Sequence, residues 1–243
     1  MQLICTQSWA PVRAEPSSAS EMASSLLFGE TCSLLSEKED WLEVACSHDD
    51  YKGWIPSNYL TKVKPEHASW NRRVSVHGAV MQNSGARIDL SPGSVIPSSM
   101  ECMIDHAVFR YSDARVFEPE NLDAAGLSSL FLHSPYLWGG RSVWGIDCSG
   151  LVQVVFAILG KKLPRDASQQ ALEGNAVPFA EKQTGDIAFF EKNGKVTHVG
   201  IVLSKGGIIH ASGKVRIDLL TEEGIKHTET GQISHTLCCI KRV

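Results

Sequence analysis

Ten residues, LVQVVFAILG (151–160), constrain this chain more than any other stretch. Apolar side chains fall on nearly every side of the helix that the run would form. A helix that is apolar all round has to be buried. Gly160 supplies its stop. The rest of the last third must therefore wrap around that helix. RDASQQALEG (165–174) reads as a second, polar-faced helix, and LSSLFLHSPYLW contains a short helical pattern. TGDIAFFEK, HVGIVLS and GIIHASG read as three strands with turn punctuation. Helices followed by a run of strands predict an α+β domain over 127–243.

The first half has a different grain. TCSLL (31–35) and WLEVAC (41–46) are strand-like, SHDD (47–50) is a turn cluster, and YKGWIPSNYL (51–60) holds a Gly-Trp strand and a short turn. Short strands between such turns predict a small β-barrel over 1–61. VSVHGAVMQ (74–82) and ECMIDHAVF (101–109) read as strands, with SPGS (91–94) as a turn. They predict a second, diverged barrel over 62–126. Residues 1–61 carry 3 basic and 9 acidic side chains, residues 62–126 carry 7 and 8, and residues 127–243 carry 13 and 10. The net charge of −4 argues against a nucleic-acid partner. The longest apolar run is too short to span a bilayer, which argues against a membrane. Seven cysteines without a CxxC pair fit a reducing compartment better than a disulfide framework. MQLICTQSWAPVR has no basic n-region, so the expected location is cytoplasmic.

Chemistry concentrates in WGIDCSG (144–150), directly before the buried helix. A cysteine there meets unpaired helix N–H groups and a partial positive charge, which lower a thiol's pKa. Cys148 is therefore either a nucleophile or a small corner residue. Gly139, Gly140 and Gly150 let backbone approach closely, as an oxyanion site needs. A nucleophilic thiol needs a base. His198 begins HVGIVL, and His210 follows twelve residues later in GIIHAS. On antiparallel neighbours joined at 204–207, one imidazole can orient the other. The same three residues as zinc ligands fit poorly, because fifty residues separate Cys148 from His198 and no short ligand pair exists.

PYLWGGRSVWGIDCSGLVQVVF, LPRDASQQ, GDIAFFEKNGKVTHVGIVL and IIHASG stand in the order found in NlpC-type cysteine peptidases, and residues 127–243 resemble that family. The first segment, with APVRAEP, DWLEV and YKGWIP, resembles a bacterial SH3 domain. The resemblance implies a papain-like catalytic domain preceded by two small SH3-like β-barrels. It implies Cys148 as nucleophile, His198 as general base and His210 as orienter, with the Cys148 N–H helping to bind the oxyanion. No metal or cofactor is implied.

With the SH3-like segments in front, the chain resembles the γ-D-glutamyl-diamino-acid endopeptidase group of that family. That implies hydrolysis of murein peptides with a free N-terminal L-alanine, by a monomer, at the bond before meso-diaminopimelate or L-lysine. In that group the first barrel caps the cleft, and its acidic residue and tyrosine read the amine. Glu15 and Tyr51 stand at the matching positions. A solvated loop carboxylate and a barrel-core ring are the plain alternatives. Tyr136, Trp138, Asp147, Ser149 and Asp166 match substrate-contacting stretches. Asp147 could instead cap the helix, Trp138 could simply pack, and Ser168 could be a cap residue. Ala167 stands where relatives often have serine, so a side-chain hydrogen bond is lost there. Rival readings are an exported hydrolase of intact wall, a non-catalytic wall-binding protein, and acyl transfer on the same fold.

Overall fold

The computed structural model describes residues 1–63, 70, 72–74, 78–82, 84–97, 101–104, 107–111 and 123–243. Its contacts form two compact units. One comprises Met1–Glu118 with Trp138–Val143, and the other Pro119–Leu137 with Trp144–Val243. Among the described residues no helix is long and apolar enough to cross a membrane.

Among its described residues the first unit is mostly strand, with one 3-10 turn at Ser57–Tyr59. Strands β1 (Gln2–Cys5), β2 (Trp9–Arg13), β3 (Met22–Leu27), β4 (Thr31–Lys38), β5 (Trp41–Cys46), β6 (Lys52–Pro56) and β7 (Leu60–Lys62) form one sheet, ordered β3-β2-β6-β5-β4-β1-β7. Alternate residues Leu3, Cys5, Ala10, Val12, Val44, Cys46 and Ile55 point into one core, as the period of two requires. Next in the chain come β8 (Arg72–Arg73), β9 (Gly78–Gln82), β10 (Arg87–Leu90), β11 (Val95–Ile96), β12 (Glu101–Ile104) and β13 (Ala107–Tyr111). They form a four-stranded sheet, β10-β9-β13-β12, and a pair, β11-β8. The expected strand 101–109 is two strands, β12 and β13, paired as a hairpin. Residues 75–77 of the expected strand 74–82 lie outside the described residues.

A buried charge cluster ties this unit together. The Glu30 carboxylate accepts from Arg141 Nη1 at 2.7 Å and Nη2 at 3.1 Å, from Arg73 Nη1 at 2.8 Å and from the Leu27 N–H at 2.9 Å. Arg141 also donates to the Ser25 carbonyl at 2.6 Å, and it begins strand β14 (Arg141–Ser142) beside β3. Burial opposes ionisation of Glu30, but Arg141, His48 and Arg73 outweigh it and hold the carboxyl well below its ordinary value.

The second unit carries the helices. Helix α1 (Ala124–Ser129) is capped by Asp123, whose side chain accepts from the Gly126 N–H. Strand β15 (Gly145–Ile146) leads into α2 (Cys148–Ile158), which buries every residue except Ala157. The helix ends as its sequence demands: Gly160 adopts φ +78°, the Lys161 N–H reaches the Phe156 carbonyl and the Gly160 N–H reaches Ala157. That is a Schellman stop, and glycine pays no steric penalty in it. The expected second helix shrinks to one turn, α3 (Ala167–Gln170).

Strand β16 (Asn175–Ala176) edges a larger construction. Strands β17 (Ile187–Lys192), β18 (Lys195–Val202), β19 (Gly207–Ser212), β20 (Lys214–Leu220), β21 (Gly224–Lys226) and β22 (Ile233–Arg242) pair in turn, and β22 pairs back with β17. The three expected strands are thus half of a closed six-stranded barrel. Ala188, Phe190, Val202, Ile208, Leu220, Ile225 and Ile240 fill its interior, and α2 packs across β18 and β19 from outside.

Candidate active site

Strand register decides which polar groups enter the barrel. Residues opposite one another in a sheet face the same side. Phe190 lies opposite His198, Gly200 opposite His210, Ile208 opposite Asp218, and Ile225 opposite His235. Because Phe190, Ile208 and Ile225 point inward, three histidines and one aspartate follow them at one end. His198, His210 and Asp218 are 5%, 1% and 1% exposed.

The four groups form a chain of contacts. His198 Nε2 lies 2.8 Å from His210 Nδ1, and His210 Nε2 lies 3.0 Å from Asp218 Oδ2. The His235 ring stacks on His198 with centroids 4.0 Å apart and planes at 21°. Asp218 also accepts from the Thr228 N–H and hydroxyl, each at 2.8 Å, and from Arg216 Nη2 at 3.1 Å. Burial disfavours its charge, yet Thr228, His210 and Arg216 together hold the carboxyl far below its ordinary value. Burial lowers His210 to about 4, with Asp218 pulling the other way. Burial, with His235 and His210 adding to it, depresses His198 well below its ordinary value. Near neutral pH the rings are uncharged.

Cys148 opens α2 and is 7% exposed. The N–H of Val199, the residue after His198, hydrogen-bonds its sulfur, and so does the Ser149 N–H. This sets the thiol against the histidine-bearing strand. The expected depression of its pKa is not found. Burial pushes the thiol up to about 12 and the Asp147 carboxylate adds to it; Val199, Ser149 and Arg165 only partly offset this. The local helix effect is real but smaller than desolvation. Burial thus favours the thiol at Cys148 and the neutral ring at His198.

Asp147 caps α2, accepting from the Gly150 N–H at 2.7 Å. It is also ion-paired with Arg165 through Nη2, with Nη1 at 3.1 Å. Ser149 Oγ accepts from Arg165 Nη1 at 2.8 Å. Tyr136 is half-buried beside these groups; burial lifts its hydroxyl to about 12, with Cys148 and Asp147 contributing. Asp166 is exposed and begins α3 without a side-chain cap bond, and Ser168 is exposed within that turn.

The remaining expected site residues belong to the first unit. Trp138 is 59% exposed, and its indole N–H donates to Glu21 Oε1 at 2.6 Å. Glu15 is exposed beyond the end of β2, and Tyr51 precedes β6 and packs on the core of the seven-stranded sheet. Since Arg13 lies opposite Trp54 in these antiparallel strands, Glu15 and Tyr51 fall at the same end of that sheet.

Sequence reasoning missed Arg165, Asp218, His235 and Glu21. The LPRD stretch signalled the first, but only the fold shows that Arg165 turns inward while Asp166 faces solvent. Asp218 stands in the alternating run KVRIDLL on the same side as Lys214 and Arg216, so the sequence pattern reads it as solvated. Nothing local marks His235 or Glu21. Among the described residues no group of three or more His, Cys, Asp or Glu side chains is arranged to hold a metal ion.

Comparison with known proteins adds an independent line. Residues 133–234 match the NlpC/P60 family, and residues 12–60 match the bacterial dipeptidyl-peptidase SH3 domain. A Bacillus subtilis protein named gamma-D-glutamyl-L-lysine dipeptidyl-peptidase is 32% identical, across 89% of this chain and 79% of that relative. A Bacillus cereus protein of the same name is 25% identical, across 79% of this chain and 68% of its own length. The crystal structure of an NlpC/P60 family protein from Bacillus cereus superposes with a TM-score of 0.81 at 19% identity, covering 100% of this chain and 99% of that one. Sequence and fold agree, and the chain belongs to the NlpC/P60 family of cysteine peptidases.

Proposed function

We propose that this peptidase hydrolyses peptides derived from peptidoglycan, cutting the γ-D-glutamyl bond before a diamino acid and releasing L-Ala-γ-D-Glu. The observation that carries the reading is the thiol of Cys148 set against the strand of His198, whose ring is bonded to His210 at 2.8 Å. The names of the Bacillus relatives support the bond chosen. The free, buried thiols of Cys5, Cys32 and Cys46 are compatible with a reducing setting, and the reading extends to a cytoplasmic role in peptide recycling.

The chemistry follows from the protonation states. His198 Nε2 is engaged by His210, so Nδ1 is the nitrogen left to accept the Cys148 proton. As the proton leaves, sulfur bonds to the γ-carbonyl carbon and the carbonyl oxygen gains charge. The Cys148 backbone N–H at the helix start is suited to that oxyanion. The C–N bond then breaks, and His198 returns the proton to the leaving amine. Water, deprotonated by His198, attacks the thioester and restores the thiol. General acid–base help of this kind is worth about 10²–10⁴-fold.

Two matched peptides test the reading, L-Ala-γ-D-Glu-L-Lys and its N-acetyl form, with products followed by mass spectrometry. Cleavage of the free-amine peptide, lost in Cys148→Ala, is expected. Undiminished turnover by Cys148→Ala would overturn the mechanism. Equal cleavage of both peptides would discard the amine gate assigned to Glu15 and Tyr51.

A further inference from the structure

We propose that Asp218 is a positioning residue of the peptidase, holding His210 and through it His198 in the one tautomer that leaves His198 Nδ1 open to the thiol. The proposal rests on the cysteine peptidase reading above.

Counting hydrogens fixes both tautomers. An ionised carboxylate can only accept. Asp218 accepts at both oxygens: Oδ1 from the Thr228 N–H, the Thr228 hydroxyl and Arg216 Nη2, and Oδ2 from His210. The His210 hydrogen must therefore sit on Nε2. A neutral ring has one N–H, so His210 Nδ1 carries a lone pair. That lone pair faces His198 Nε2 at 2.8 Å, so His198 donates there, and its own lone pair is on Nδ1. Replace the carboxylate by a methyl group and either ring can hold its hydrogen on either nitrogen. Half of those arrangements put a hydrogen where the thiol proton must go.

The carboxylate has a second effect. When His198 takes the proton, the positive charge is shared along two buried imidazoles, and Asp218 is the anion in contact with them. The other charged or titratable groups nearby are His235, stacked on His198, and Arg216, which also contacts Glu229 at 3.6 Å. Cys148, with Asp147 and Arg165 beside it, lies toward the helix. Of these, only Asp218 is an anion bonded to either ring. The rigid mooring by Thr228 and Arg216 keeps it from turning to solvent.

The full-length protein, Asp218→Ala, Asp218→Asn and Cys148→Ala are compared by long-range ¹H–¹⁵N imidazole spectra, and by kcat and KM for L-Ala-γ-D-Glu-L-Lys across pH. We expect His198 and His210 to carry Nε2–H in the parent and in Cys148→Ala. Asp218→Ala gives mixed tautomers, which alone cost about twofold, and removes the anion that stabilises the shared imidazolium charge, so that kcat falls by about 10²–10⁴-fold in all, with KM changed little. Asp218→Asn, which keeps volume and an acceptor but no charge, moves the acid limb of kcat about 1 unit or more to lower pH. The proposal is overturned if Asp218→Ala keeps kcat within about twofold, or if it loses kcat with Nε2–H tautomers intact. Should Asp218→Ala fail to fold, Asp218→Asn decides, and an unmoved acid limb overturns the proposal. The spectra need no turnover, so a failure of the peptidase reading, seen as activity in Cys148→Ala, is distinguishable from a failure of the tautomer claim.

Discussion

Asp147 and Arg165 are 4% and 2% exposed and meet through two guanidinium nitrogens, so the start of α2 depends on a buried ion pair. Breaking such a pair from one side leaves an uncompensated buried charge and costs about 3–5 kcal/mol. Arg165→Met strands the carboxylate beside the Cys148 sulfur. Asp147→Asn keeps an oxygen for the Gly150 N–H but strands the guanidinium. Each single change is expected to cost about 3 kcal/mol or more. The double variant removes both charges and retains a helix cap, whose full loss would cost about 1 kcal/mol. It should therefore cost less than the sum of the singles by about 2 kcal/mol. Amide hydrogen exchange at Leu151–Val155 reads the stability of this helix directly. Additivity within about 0.5 kcal/mol would refute the pair as the clamp on the helix start. So would single variants costing under about 1 kcal/mol.

Two further outcomes follow from the geometry. His198, His210 and His235 all have lowered pKa values in the fold. Between about pH 6.5 and 4 the unfolded chain binds more protons, so stability must fall as pH drops through that window. His210 alone, moved from 6.5 to about 4, accounts for about 3 kcal/mol; a melting temperature that held steady from pH 7 to 5 would contradict the buried site. At Gly139, φ is +77° and an added Cβ would lie 2.2 Å from the Met22 carbonyl oxygen, whereas Gly160, at φ +78°, has open space. Gly139→Ala should cost about 3 kcal/mol and Gly160→Ala about 1 kcal/mol, measured by exchange at Met22–Leu27 and at α2; equal costs would refute the close approach.

What was legible in the sequence is what is local. The apolar run 151–160, its glycine stop and the strands around His198 and His210 depend on periodicities a few residues long, and the structure has them where the pattern puts them. Barrel closure was not legible, because β21 and β22 mix apolar and polar residues without a clear beat, and the β21–β22 and β22–β17 pairings depend on the completed barrel. Asp218 was hidden for that reason: a carboxylate on a strand looks solvated until its register opposite Ile208 turns it inward. The Cys148 environment shows the complementary error. The helix N-terminus is visible in WGIDCSG, but the burial that outweighs it is a property of the whole barrel. Trp138 and Glu21 are 117 residues apart, beyond any local signal.

The central claim is that Cys148 forms a covalent bond to the dipeptide. The most direct test mixes enzyme with excess L-Ala-γ-D-Glu-L-Lys, quenches in acid on the millisecond scale, and maps the peptides by mass spectrometry. The account predicts an L-Ala-γ-D-Glu thioester on the peptide bearing Cys148, and none in Cys148→Ala. Turnover accompanied by an adduct on any other residue would contradict it.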